Sequence, residues 1–287
     1  FYGKPWVWCT IHSFGGRVGL YGGLPQISAN LAEAMKSPRR GKLAGIGAIM
    51  EGFGYNPVVY DLLFEMTWRD QVPELEPWVR DFARRRYGRR VPAALEAWEV
   101  LRNTVYRVPG HTGSILCRRP WLPGTPGGAH GRVPYNPAQL AQAWPKLLDS
   151  ADDLGTVDTY RFDLVHVARQ VLNNLAPAYY RRVVAAYYAK DRAALAKAGA
   201  EYLGLIRDID GLLGTRREFL LGKWLADADR WAKTDQERKL YGWNARNLIT
   251  LWGPRDGVLH DYAQRQWSGL LAGFYLPRWE MMLKHLD

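Results

Sequence analysis

Two apolar runs of strand length open the chain, and each leads into a helical pattern. Pro5-Trp6-Val7-Trp8-Cys9-Thr10-Ile11 is aromatic and β-rich; Leu43 to Met50 is apolar and punctuated by glycine. A helical stretch near Gln26 to Lys36 separates them. From Pro57 the spacing of Val58, Leu62, Leu63 and Met66 fits one helix face, with Pro57 in its first turn. Strand, loop, helix, strand, loop, helix is the alternation of a parallel sheet. Two parallel strands cannot cover their own faces, and a (β/α)8 barrel takes about 250 residues. Residues 1–70 are therefore expected to be part of a larger β/α domain that starts upstream of Phe1.

The pattern changes after about residue 71. Helical spacing is expected over 77–88, 92–106 and 137–150, then through Val157, Tyr160, Leu164, Val167, Val171, Leu172 and Leu175. It continues over 178–189, 191–213, 216–233, 235–249 and 258–286, with no further strand. Residues 107–136 are broken by prolines and glycines, and the segment is long for a connection without structure. The expected fold class is α/β followed by all-α, with domains at 1–70 and 71–287.

Composition narrows the partners. Of 287 residues, 47% are hydrophobic and 23% charged, which implies a packed core. Most of the 13 Trp and 16 Tyr are expected in that core, with a few left for a pocket where sugar rings could stack. The net charge of +11 raises the question of nucleic acid. Yet the densest run, Arg84-Arg85-Arg86-Tyr87-Gly88-Arg89-Arg90, ends a helical pattern, where cations complement the helix dipole. No nucleic-acid motif accompanies it, so nucleic acid is not an expected partner. Cys9 and Cys117 could pair but do not form a disulfide framework or a metal-ligand spacing. No apolar run reaches the roughly 18 residues of a membrane span. There is no secretory signal at Phe1 and no Asn-x-Ser/Thr sequon.

The leading chemical candidate is Glu51, a carboxylate that ends the second apolar run and precedes Gly52-Phe53-Gly54-Tyr55-Asn56-Pro57. Barrel enzymes keep catalytic groups at the C-terminal ends of strands. The competing reading is an arginine-paired carboxylate at a barrel rim. Retaining glycosidases use two carboxylates about 5–5.5 Å apart. Glu33, Glu65, Glu74 and Glu76 lie in helical or turn contexts, so no second member is nominated. His12 opens a glycine-rich loop, either as a site residue or as a hydrogen-bonding residue that holds the loop. Gly15-Gly16 resembles a phosphate loop only superficially. His111 stands in the broken segment, shortly before Cys117-Arg118-Arg119-Pro120. Trp252, in Leu251-Trp252-Gly253-Pro254, either plugs the core or faces a cleft. No catalytic triad, nucleophile elbow or zinc motif is present.

These stretches resemble glycoside hydrolase family 89, the α-N-acetylglucosaminidases, over nearly the whole chain. The resemblance is carried in order by Pro5-Trp6-Val7-Trp8-Cys9, His12-Ser13-Phe14-Gly15-Gly16, Met50-Glu51-Gly52 and Asn56-Pro57-Val58-Val59-Tyr60. It continues through Phe82 to Gly88, Arg118-Arg119-Pro120, Phe219-Leu220-Leu221-Gly222 and Leu251-Trp252-Gly253-Pro254. Asp261-Tyr262-Ala263 and Tyr275-Leu276-Pro277-Arg278-Trp279 complete it. Ser13 departs from the Asn common at that place in the family, and Asp256-Gly257 suggests a different turn. The resemblance implies the end of a (β/α)8 TIM-like barrel followed by a helical domain, and a retaining exo-glycosidase releasing terminal α-linked N-acetylglucosamine. Glu51 would be the nucleophile. The acid/base would be a glutamate on an earlier strand that matches no position here. Ile11, His12 and Phe14 would contact the sugar, and His111, Trp252, Val258 and Tyr262 would close the pocket from the helical domain. No metal or cofactor is implied; the partner is a glycan. The absent sequons favour a secreted bacterial enzyme over a lysosomal one, which is the expectation if the chain is eukaryotic. The rivals are a catalytically inactive glycan-binding module and a basic helical scaffold for nucleic acid; scattered arginines argue against the latter.

The 287-residue chain by itself, incubated with an aryl α-N-acetylglucosaminide, should release little aglycone, because the acid/base matches none of its positions. Robust turnover would show that the second carboxylate is within the chain.

Overall fold

A computed structural model describes residues 2–52, 54–110, 113–123 and 133–286. Strand β1 (Trp6–His12) and strand β2 (Leu43–Met50) pair in parallel, with Val7 opposite Gly45, Cys9 opposite Gly47 and Ile11 opposite Ile49. Helix α1 (Leu24–Lys36) makes the crossover between them, and α2 (Pro57–Glu65) comes after β2. They are the only strands among the described residues. The glycine-rich β2 is not the fully buried strand its composition suggests. Val7, Ile11 and Ile49 are each about half exposed (52%, 54% and 53%), so one face of the ribbon is open.

Helices account for most of the remaining chain: α3 (Leu75–Tyr87), α4 (Pro92–Asn103), α5 (Pro137–Ala141), α6 (Ala143–Leu148), α7 (Ala151–Leu154), α8 (Asp158–Tyr188), α9 (Arg192–Leu213), α10 (Leu221–Arg230), α11 (Asp235–Ile249) and α12 (Leu276–Leu286). Local chemistry sets several boundaries. Gly88, left-handed at φ 74°, ends α3. A Thr234–Glu237 capping box starts α11. Two expectations are corrected. The helices read on either side of residue 176 are one, α8, which carries Pro177 inside it. The stretch 258–286 is not helical throughout: Asp261 and Gln264 are left-handed, and helical structure begins only at Leu271, as a π-helical turn leading into α12. Cys9 and Cys117 are free thiols, the first exposed and the second buried.

The chain packs as two compact units. The first comprises residues 1–14, 19–111 and 133–167, and the second 15–18, 112–132 and 168–287. In the first unit, α3 and α4 bury an aromatic row: Trp78 stacks on Phe82, which meets Trp98 edge-on at 5.0 Å, and Trp98 stacks on Tyr106. Each such pair adds about 0.5–1.5 kcal/mol beyond burial. In the second, Trp279 is buried among Tyr202, Tyr180 and Trp121, and its indole N–H donates to the Leu116 carbonyl. The tryptophans in these settings are core, in keeping with their number.

The arginine run is partly structural. Arg86 makes a two-pronged pair with buried Asp163 at 2.6 and 2.9 Å. Tyr87 donates to the same carboxylate at 2.8 Å and accepts from the Trp98 indole. Removing one partner of a buried pair strands the other charge, at about 3–5 kcal/mol. Asp163→Ala should therefore lower the free energy of urea unfolding by about that amount, with Asp163→Asn losing less; equal stability of all three proteins would remove the pair from the account of the fold.

Candidate active site

Strand alternation defines the face on which Glu51 emerges. Successive side chains point to opposite sides, so Gly45, Gly47 and Ile49 share a side, and the register adds Val7, Cys9 and Ile11 from β1. Glu51, two residues beyond Ile49 and just past the strand, continues that open side and is exposed. Ile11 lies at the end of β1 beside the end of β2, and Phe14, 39% exposed, comes two residues after β1.

The turn that carries Glu51 is tied down at its far end. Asn56 is fully buried and left-handed (φ 55°), a conformation that Asn tolerates better than most residues. It occupies the N-cap position of α2, yet its side chain does not cap the helix. Its side-chain carbonyl accepts from the Tyr21 N–H at 3.3 Å, and its amide donates to the Gly19 carbonyl at 2.8 Å. The loop after β2 is thereby pinned to the loop after β1.

His12 is buried in the same assembly. Its Nε2 lies 3.3 Å from the Tyr21 carbonyl, which can only accept, so Nε2 carries the proton. Nδ1 is then the acceptor, 2.8 Å from the Ser13 hydroxyl and 3.0 Å from the Tyr60 hydroxyl. The imidazole stacks on the Tyr21 ring at 4.2 Å. These bonds are those of a residue that holds the loop. Burial lowers its pKa from 6.5 to about 4, against a smaller opposing effect of the Tyr21 carbonyl. Ser13 is left-handed (φ 59°) and buried, a backbone that Asn or Gly adopts more readily than Ser.

Gly15 and Gly16 have a different purpose from phosphate binding. Both are left-handed, and a Cβ on Gly15 would lie 2.7 Å from the Ala263 Cα and the Tyr262 carbonyl. One on Gly16 would lie 2.2 Å from the Arg265 guanidinium. The pair permits close backbone approach to the segment at 262–265. Arg265 donates to the Gly15 carbonyl at 3.1 Å and lies over the rings of Trp224 and Trp267.

In the second unit the structure brings Trp252 and Tyr262 together, rings 4.9 Å apart and tilted by 61°. Trp252 is half-buried and left-handed (φ 64°), an uncommon conformation for a bulky residue. Val258 is 96% exposed on the loop between them. His111 lies outside the described residues. The roles of Asn56, Tyr60 and Arg17 are not apparent from sequence. Asn56, directly before a helix-starting proline, has a visible signal, although it points to a cap that the side chain does not form.

Comparison with known proteins places the chain. Its fold matches a family 89 glycoside hydrolase from Clostridium perfringens in complex with PUGNAc, with a TM-score of 0.93 and 31% identity, over 99% of this chain and 34% of that one. It likewise matches the enzyme of that organism with two glutamate-to-glutamine substitutions, in complex with its substrate GlcNAc-alpha-1,4-galactose, at TM-score 0.92 and 31% identity, over 99% of this chain and 33% of the other. The class is thus that of glycoside hydrolases. Residues 78–287 match the alpha-N-acetylglucosaminidase (NAGLU) C-terminal domain, and residues 1–70 the NAGLU tim-barrel domain. The chain belongs to the alpha-N-acetylglucosaminidase family. It is 39% identical to the Homo sapiens alpha-N-acetylglucosaminidase over 293 residues, all of this chain but 38% of the human protein's length.

The depressed pKa of His12 has a pH signature. The unfolded chain takes up the proton near 6.5 and the folded chain only near 4, so the unfolded state binds more protons between those values. Stability from this group is complete above pH 6.5 and should fall by up to about 3 kcal/mol as pH drops to 4. Urea titrations across that range should show the slope in the native protein and a reduced slope in His12→Gln.

Proposed function

We propose that the chain is the C-terminal part of a retaining exo-glycosidase that releases terminal α-linked N-acetylglucosamine from glycans. Residues 1–70 supply the last strands of a (β/α)8 barrel and residues 71–287 a helical domain. Glu51 is the nucleophile: its carboxylate attacks the anomeric carbon and forms a glycosyl-enzyme. An acid/base carboxylate from a barrel strand outside this chain first protonates the leaving oxygen, then deprotonates the water that frees the sugar. Ile11, His12 and Phe14 belong to the pocket, His12 by holding its loop. His111, Trp252, Val258 and Tyr262 contribute from the helical domain. Relatives are found in a bacterium and in human; we assign a secreted enzyme if the chain is bacterial and a lysosomal one if it is eukaryotic.

The observation that carries the reading is Glu51 itself. It is an exposed carboxylate just past the C-terminal end of a parallel strand, in a chain of this family. The two glutamines introduced into the Clostridium perfringens enzyme bound to its substrate are consistent with a pair of working glutamates there.

In the full-length protein, Glu51→Gln should cut kcat on an aryl α-N-acetylglucosaminide on the order of 10³-fold or more. Because glutamine keeps the size and shape of glutamate, the melting temperature of the variant should stay close to that of the native protein. Near-native turnover by the variant would refute the mechanism, and sugar binding without turnover by the native protein would favour an inactive glycan-binding module.

A further inference from the structure

The seven residues from Asp261 to Trp267 are all buried except Tyr262. Their backbone is held from several sides. Asp261 pairs with Arg278 through two bonds at 2.7 and 2.8 Å. The side-chain carbonyl of Gln264 accepts from the Ser114 N–H at 3.0 Å. Gly15 packs against the Tyr262 carbonyl and Ala263. Tyr262 thus projects from a rigid base, but a rigid backbone does not by itself fix a ring that turns about two side-chain torsions.

Arg17, half-buried in the glycine-rich loop, takes hold of that same residue at two points. Its Nε–H donates to the Tyr262 carbonyl at 3.0 Å, and its guanidinium carbon lies 5.2 Å from the centre of the Tyr262 ring. That distance is within the range of a cation–π contact. Trp252 meets the ring from another direction at 4.9 Å. A lysine could not reproduce the grip, because its ammonium has no planar fork to bond a carbonyl and cover a ring together.

We propose that Arg17 is a positioning residue for substrate binding, which sets the Tyr262 ring in its sugar-contacting orientation before the glycan arrives. The inference rests on the reading of Tyr262 as a sugar contact. Preorganisation of a contact residue lowers the ordering cost of binding. Loss of Arg17 therefore weakens binding more than it slows the chemical step.

The test measures kcat and KM on an aryl α-N-acetylglucosaminide, and the affinity for PUGNAc, in the full-length protein. Arg17→Met should raise KM and the PUGNAc dissociation constant about tenfold and change kcat less than about threefold. Arg17→Lys, which keeps the charge and the chain length, should not restore KM. Tyr262→Ala should raise KM, and adding Arg17→Met to it should cost little more, since the two act as one unit. A purely structural role would instead lower the melting temperature and kcat together, with KM unchanged; that result, full rescue by Arg17→Lys, or additive effects in the double variant would overturn the proposal. A native protein that shows no turnover would overturn the proposed function. A native protein that turns over while Arg17→Met keeps its KM would overturn only this inference.

Discussion

The buried amide of Asn56 is the constraint on which the first half of the site depends. Two loops come after the two strands, and apart from a 3-10 turn at Phe14–Gly16 no helix or strand keeps their shape among the described residues. Asn56 joins them by accepting from the Tyr21 N–H and donating to the Gly19 carbonyl. Both bonds are formed away from bulk solvent, where a missing partner costs about 1–3 kcal/mol. Around this clamp His12, Ser13, Tyr21 and Tyr60 share a buried set of hydrogen bonds. The neutral imidazole is a consequence of that packing: a charged ring would be desolvated, and its Nδ1 would have to donate where it now accepts. Glu51 gains its place indirectly. Strand pairing sets one end of its turn, and Asn56 sets the other.

The second unit solves a similar problem with longer side chains. The segment at 261–267 carries Tyr262 and has no ladder or helix of its own. Gln266 donates to Asn173 and Ser114 and accepts from Arg169, while Ser114 also donates to Asn173. This polar set is buried, so each member is costly to leave unpaired. Arg265 adds a stacked contact on Trp224 and Trp267. The segment is specified by bonds to residues about 90 to 150 positions earlier.

That separation explains what the sequence reveals and what it conceals. The β/α alternation of the first 70 residues is legible because strand and helix periods are local. Most later helices are legible for the same reason. Glu51 stands out because a carboxylate after an apolar run is a local anomaly, and the family motifs around it reinforce the reading. The stretch from Val258 reads as helix because Val258 and Tyr262, and then Trp267, Leu270 and Leu271, fall at helical intervals. Its true conformation is set in large part by Ser114 and Asn173, which no local window contains. Gly15-Gly16 announces a close approach but not its partner, which lies about 250 residues away.

Backbone conformation ties these observations together. Among the described residues, seven that are not glycine have positive φ, and five of them, Ser13 and Asn56 in the first unit and Trp252, Asp261 and Gln264 in the second, lie in loops near candidate site residues. Such conformations cost of order 1–3 kcal/mol each, less for Asn and Asp, and persist only where the surroundings over-determine them. Four of the five are held by side-chain bonds to other segments or neighbours: Ser13 by His12, Asn56 by Gly19, Asp261 by Arg278 and Gln264 by Ser114. Trp252 is held through its backbone, whose N–H returns to the Asn247 carbonyl at 2.7 Å. The strain is therefore balanced residue by residue, and relaxing any one of these bonds would release a turn next to a candidate sugar contact. A site assembled from such turns gains its precision from buried polar pairing, while the helices supply only the frame on which the pairs are hung.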